Sequence, residues 1–410
     1  MSLPENVYEA ICRMFMCDNL EDHLTCYHSF YEDLKECTFI VFSENEGSKL
    51  PESLCTDYDH DFAIINLGFA NRYYAMNQQI YKEMIEKKRS DYFIDICVDL
   101  DTQAVSYLKN IFVEFNEVSH SQKMNEVLQY LQLPEINYSC APYMVENAAK
   151  KDSINRIECY KNIKSFMLFK AFHYSKFMQN GICEYDRLEE EIQLDADALF
   201  HIMFSEKYAL SCEKFYRMQE SLYVLLLKTI CIEFANPKKS PQNKIMELFD
   251  FVNTELGYFA DRELQICYYY FRHDEKTKKF FKKVQKNSND LFGTINGMSW
   301  DLIHVRIIEQ EFAVRPTEQV RYAIHVLLTF DNGLKEVLQI NPIEQIALYK
   351  DIPIPKLKYC WCDKIPGAKE KLMSENNKKM RQHTFKTMHV EKLKTALEKE
   401  LHSLCHDTRL

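Results

Sequence analysis

The sequence predicts an α/β protein, mainly helical with a few strands. Three observations carry that reading. The chain of 410 residues is 46% hydrophobic and 13% aromatic with only 8 glycines and 11 prolines, which supports a sizeable core and argues against propellers, turn-rich repeats and long disordered linkers. Residues 93–107 alternate apolar Ile94, Ile96, Val98 and Leu100 with Asp95, Cys97 and Asp99, then take up helical spacing at Ala104, Val105, Tyr107 and Leu108. Residues 323–329 (AIHVLLT) form a strongly apolar strand pattern closed by Phe330-Asp331-Asn332-Gly333.

In chain order, Val7, Ile11, Met14 and Phe15 fall on one helical face, so residues 1–36 read as helix. Residues 39–42 are a short strand, and 61–67 hold a second apolar run. Residues 71–88 read as an amphipathic helix leading into the strand that ends at Asp101, where Asp101-Thr102 opens the next helix. A helix over 121–131 ends at Pro134, a strand follows over 136–140, and Pro142 suits the first turn of a helix carrying Glu146. Residues 154–235 are aromatic-rich and nearly free of breakers, so they read as several packed helices. Residues 236–241 form a loop, with helices over 244–258 and 261–271. Gly293 to Gly297 reads as a break, after which Ser299-Trp300-Asp301 opens another helix. Asn332-Gly333 marks a turn before a helix over 334–338, residues 352–355 are an extended connector, and from Ala368 the chain is lysine-rich and helical.

The net charge of −10 is unevenly spread. Residues 1–68 hold fourteen acidic side chains against three basic ones, whereas residues 351–410 hold thirteen basic against eight acidic. The acidic stretch reads as a solubility device, with a protein-partner surface as the alternative. Residues 276–286 carry six lysines around Phe280 and Phe281. Lys278, Lys279, Lys282 and Lys283 suit a surface that tracks a nucleic-acid backbone with aromatic stacking platforms; the alternative is a helix whose phenylalanines pack inward. The N-terminus lacks a basic segment followed by an apolar one, and no run approaches the roughly 18 apolar residues of a membrane span. With fifteen cysteines read as reduced thiols, a cytoplasmic location and no membrane partner are expected. Phosphate-loop, dinucleotide and G-x-S-x-G signatures are absent, and Cys360-Trp361-Cys362 with His383, His389, His402, Cys405 and His406 matches no zinc-ligand spacing.

Four acids share one kind of context. Asp101 and Asp331 each end an apolar strand and begin a helix, Asp301 follows a glycine-flanked segment, and Glu146 lies one turn into a helix after a short strand. If the strands are parallel, their C-terminal ends share a rim and the four carboxylates converge. Mutual repulsion would raise their pKa values unless a hard divalent cation, Mg²⁺ or Mn²⁺, neutralised them. Such a set suits metal-assisted phosphodiester hydrolysis. The alternatives are helix capping for Asp101 and Asp331 and a dipole contact for Asp301. Glu135, Glu158 or Glu114 could take the place of Glu146, and Asp99, which shares strand parity with Asp101, is an alternative ligand. His304 and Arg306 lie close enough in sequence to Asp301 to reach a phosphate, or are ordinary helix-face residues.

These segments resemble the PIN-domain superfamily of metal-dependent ribonucleases. Val98-Asp99-Leu100-Asp101-Thr102 is similar to that family's opening strand, and Met144-Val145-Glu146-Asn147 to its glutamate-bearing helix. Ser299-Trp300-Asp301-Leu302-Ile303-His304 resembles the helix bringing the third acid, and Leu328-Thr329-Phe330-Asp331 the last strand. Gln103 stands where the family usually has asparagine. The resemblance implies a PIN-like α/β/α core in which Asp101, Glu146, Asp301 and Asp331 hold Mg²⁺ or Mn²⁺, Thr329 orders the site from behind, and RNA, or alternatively DNA, is cleaved. The gap of 155 residues between Glu146 and Asp301 then reads as a helical insertion. The expected organisation is an acidic α/β region over 1–90, core halves over 91–153 and 291–345, an insertion over 154–290 and a basic helical extension over 346–410. A nuclease so elaborated would suit a toxin or defence effector under a regulatory partner. The competing expectation is a catalytically silent helical interaction protein.

Overall fold

The structure, a computed structural model, describes residues 3–54, 62–90, 94–114, 126–127, 136–148, 153–180, 184–312, 322–350 and 352–406. Its strands are β1 Cys37–Ser43, β2 Ser48–Lys49, β3 Ala63–Asn66, β4 Arg72–Met76, β5 Ile94–Leu100, β6 Ile136–Ser139, β7 Tyr322–Thr329, β8 Ile343–Tyr349 and β9 Ile352–Leu357. With the helices between them they make a mixed α/β protein, as the sequence predicts. The chain divides into two compact units, one of residues 1–211, 305–330 and 342–358, the other of residues 212–304, 331–341 and 359–410.

The first unit contains both sheets. One has the order β3-β7-β5-β6. In it β5 runs parallel to both β6 and β7, and β3 lies antiparallel to β7. Parallel strands need a crossover, and the Thr102–Phe112 helix, packed on β5 and β7, begins the one between β5 and β6. Every residue of β7 is buried, as expected of a strand covered on both faces, and β5 is buried from Cys97 onward. Strand alternation puts Ile94, Ile96, Val98 and Leu100 on one face and Asp95, Cys97 and Asp99 on the other.

The second sheet, β2-β4-β1-β8-β9, is antiparallel throughout. Phe39, Met76 and Ala347 from this sheet share a core with Ile11, Met14, Tyr27 and Leu34. Here three expectations are corrected. Residues 1–36 hold two helices, Glu5–Met14 and Leu20–Ser29, because Asn19 interrupts the periodicity and caps the second by accepting the Asp22 N–H at 2.9 Å. The stretch 71–88 is β4 followed by the helix Gln78–Lys87, with Asn77 as its cap. Tyr73 and Tyr74 also fit helical spacing, but cross-strand pairing with Phe42 and Val41 decides their conformation. Residues 352–355 belong to β9, an edge strand where Pro353 and Pro355 are tolerated. Its partner β8 has no counterpart in the sequence reading.

The second unit is helical, with Leu222, Leu226, Ile230, Leu248, Phe249 and Leu264 in its core. The helix expected over 244–258 is Pro241–Phe251 continued by one π-turn, Val252–Leu256, and it stops at Gly257, whose φ of 68° is left-handed. The break expected at Gly293–Gly297 does not occur: one helix runs Leu291–Glu311 across both units' residues. Each helical glycine costs about 1 kcal/mol. Burial of Ile295, Met298 and Leu302 outweighs that cost, and Asp290 caps the first turn through the Gly293 N–H at 2.9 Å. Asp301 is therefore a mid-helix residue. The helix expected over 121–131 lies outside the described residues except at Glu126 and Val127, which are helical. No helix among the described residues is long and apolar enough to cross a membrane.

Candidate metal centre

Because β5, β6 and β7 are parallel, they end at one rim of their sheet. Asp101 follows β5, and its N–H donates to the Leu328 carbonyl of β7 at 3.2 Å. Its Oδ1 accepts the Ala104 N–H at 2.6 Å, so Asp101 caps the Thr102–Phe112 helix while buried. Thr329, also buried, ends β7. Glu146 sits on the helix Ala141–Asn147 that follows β6, and the Thr102 hydroxyl donates to its Oε2. The first unit therefore brings Glu146 to Thr102, the first residue of the helix that Asp101 caps. Glu114 and Glu158, the alternatives to Glu146, are held by Lys109 and Lys161 at 2.6–3.4 Å; Glu135 lies outside the described residues.

The other two acids belong to the second unit. Asp331 caps the helix Asn332–Leu338, accepting the Gly333 and Leu334 N–H groups at 2.7 and 3.2 Å. Asn332 and Gly333 are thus the first helical residues rather than a separate turn. The Lys283 ammonium lies 3.0 Å from Asp331 Oδ2. Burial acts to lower the Lys283 pKa, but the charges of Asp331 and Asp301 outweigh it and the net shift is upward. Of the neighbouring lysines, Lys278 pairs with Glu275 and Lys279 with Glu336 at 2.6 Å, while Lys282 has no ion-pair partner among the described residues. Phe280 and Phe281 are buried, and Phe281 stacks on Tyr270 with ring centroids 4.0 Å apart. They are core residues, which corrects the expectation of aromatic stacking platforms. His304 is buried, and Arg306 pairs with Glu309 at 2.9 Å one turn along its helix.

A different cluster lies within the parallel sheet. Cys97 on β5 is in register with His325 on β7, and Asp99 follows on the same face of β5. His325 Nδ1 meets Asp99 Oδ2 at 2.7 Å, with Asp99 fully buried and His325 nearly so. The other carboxylate oxygen, Asp99 Oδ1, is buried without a hydrogen-bond partner among the described residues. Phe312 packs against the His325 ring at 5.7 Å. Burial acts to lower the His325 pKa, but the Asp99 charge, its hydrogen bond and the charge of Glu311 together raise it. Burial, then the Asp99 charge, push the Cys97 thiol up. One ligand atom from each of Cys97, Asp99 and His325 lies within 4.8 Å of the others, and among the described residues this trio meets the requirement for holding a metal ion.

No family model, curated protein or solved structure matches the chain. Its chemistry is therefore read from the residues themselves. Asp99 is legible in the sequence as an alternative ligand, whereas Cys97 and His325 are not. Their signal was a polar side chain inside each of two apolar runs, IDICVDL and YAIHVLLT.

Proposed function

We propose that this protein is a metal-dependent hydrolase of phosphodiester bonds in RNA, built on a PIN-like core. The observation that supports it is the strand order. β5 lies between β6 and β7 with all three parallel, so strand C-termini share the rim where α/β sheets take ligands. Asp101 follows β5, Glu146 lies on the helix after β6, Asp301 on the helix before β7, and Asp331 after β7. The four acids follow one another along the chain in the order of the segments that resemble the family.

Carboxylate oxygens suit Mg²⁺ or Mn²⁺, which would neutralise phosphate charge and activate water for attack. In this reading Asp101 and Glu146 hold the ion in the first unit. The Ala104 N–H fixes the Asp101 carboxylate, and the Thr102 hydroxyl fixes Glu146. Lys282 and its neighbours attract the RNA backbone.

The test is cleavage of labelled single-stranded RNA with Mn²⁺ by the full-length protein and by Asp101→Asn. Asparagine is as good a helix cap as aspartate, so the variant keeps its melting temperature. Cleavage by the wild type that disappears in the variant supports the proposal, and cleavage of DNA alone would transfer it to that substrate. No cleavage of either, with no Mn²⁺ bound by calorimetry, overturns it. The second reading, a catalytically silent interaction protein, is favoured by one observation: Asp101 and Asp331 both act as helix caps, a role that stability alone explains. Isolation of a stoichiometric protein partner in the absence of any Mn²⁺ binding would select it.

A further inference from the structure

We propose that Cys97, Asp99 and His325 form a buried site for a zinc-class divalent ion, separate from the rim carboxylates, that clamps β5 to β7. Two independent observations converge on it. Thiol, imidazole and carboxylate donors from two strands gather within 4.8 Å of one another. Inside that cluster, Asp99 is fully buried, and its Oδ1 is unpartnered among the described residues. A buried carboxylate oxygen with no donor is costly, and an ion coordinated there removes the cost.

The donor set selects the ion. Thiolate and imidazole favour zinc and its relatives, whereas Mg²⁺ and Mn²⁺ prefer oxygen alone. Binding takes imidazole and thiolate in their unprotonated forms and Asp99 through Oδ1; the proton shared by His325 Nδ1 and Asp99 Oδ2 and the Cys97 thiol proton both pass to solvent. Three protein ligands leave a fourth position for water or a further side chain. Burial of all three assigns the ion a structural task. Asp99 and His325 are 226 residues apart in sequence, and clips that close long loops reduce the entropy of the unfolded chain most.

The experiment uses the full-length protein carrying His402→Ala. That substitution removes an exposed histidine pair, His402 and His406, whose Nε2 atoms lie 3.1 Å apart and would bind zinc independently. The protein is stripped with chelator and titrated with Zn²⁺, Co²⁺ or Mg²⁺. A single equivalent of Zn²⁺ should bind and raise the thermal midpoint, while Mg²⁺ should leave the midpoint unchanged. The Co²⁺ form should show a thiolate-to-metal charge-transfer band that disappears in Cys97→Ala. Failure to bind zinc, or a band that persists in Cys97→Ala, overturns the proposal. Should Cys97→Ala fail to fold, X-ray absorption on the zinc-loaded parent decides: a sulfur ligand supports the site and its absence overturns it. In Asp101→Asn the zinc stoichiometry should be unchanged, so the clamp and the nuclease reading succeed or fail separately.

Discussion

Two buried histidines, one beside each sheet of the first unit, have different surroundings. His23 packs beside the antiparallel sheet, where its ring nitrogens meet the Asn19 carbonyl at 2.8 Å, the Tyr74 hydroxyl at 3.0 Å and the Gln345 side-chain oxygen at 3.1 Å. All of these partners are uncharged. His325 lies in the parallel-centred sheet, against a carboxylate with one oxygen left over. Both rings are buried, so burial does not distinguish a core histidine from a ligand. Unused polar capacity beside the ring does.

The largest expected effect tests that contrast. His325→Ala leaves the Asp99 carboxylate buried without its hydrogen-bond partner, and loss of one partner from a buried pair costs about 3–5 kcal/mol. The double variant Asp99→Leu/His325→Leu removes both polar groups and should recover most of the loss, since apolar replacement of a buried pair is often neutral. Denaturant unfolding of both proteins measures the difference. An equally unstable double variant would show that packing, rather than charge, dominates there. His23→Ala, in contrast, orphans only neutral groups and should cost about 1–3 kcal/mol. Urea midpoints of the two alanine variants then rank the two histidines directly.

Smaller effects sharpen the comparison further. Asp101→Ala should cost about 0.5–2 kcal/mol through the lost cap, while Asp101→Asn should be nearly neutral in the same melts. The exposed network around Glu158 provides the weak limit. Hydrogen bonds from Lys109 and then Lys161 hold its pKa below the usual carboxylate value. That contribution to stability is present above the unfolded carboxylate pKa and is lost as pH falls through the depressed folded value. Glu158→Gln should therefore cost about 0.2–1 kcal/mol near neutrality and nothing in strong acid, read from melts across pH. A constant difference across that range would show that the carboxylate charge is not responsible.

The legible parts of the fold were local. β5 and the Thr102–Phe112 helix could be placed because alternation, then an aspartate cap, then helical spacing lie within twenty consecutive positions of the chain. β4 was obscured because its identity depends on β1, which is distant in sequence, and β9 because its two prolines hide a strand that pairs with the neighbouring β8. The helix through Gly293 was obscured because tertiary burial overrides local propensity. At the candidate site, Asp101 was legible because it ends an apolar strand and opens a helix, whereas Thr329 was named only through the family resemblance. Cys97 and His325 could not be paired, because only the register of two strands makes them neighbours.

That register also sets an order of events at synthesis. The 226 residues from Asp99 to His325 take roughly 10–45 s to translate at about 5–20 residues per second. Throughout that interval β5 has emerged without the strand that covers it, and its apolar edge is open to other chains. Yield on expression should accordingly depend on chaperone supply and temperature more than on the stability of the finished protein.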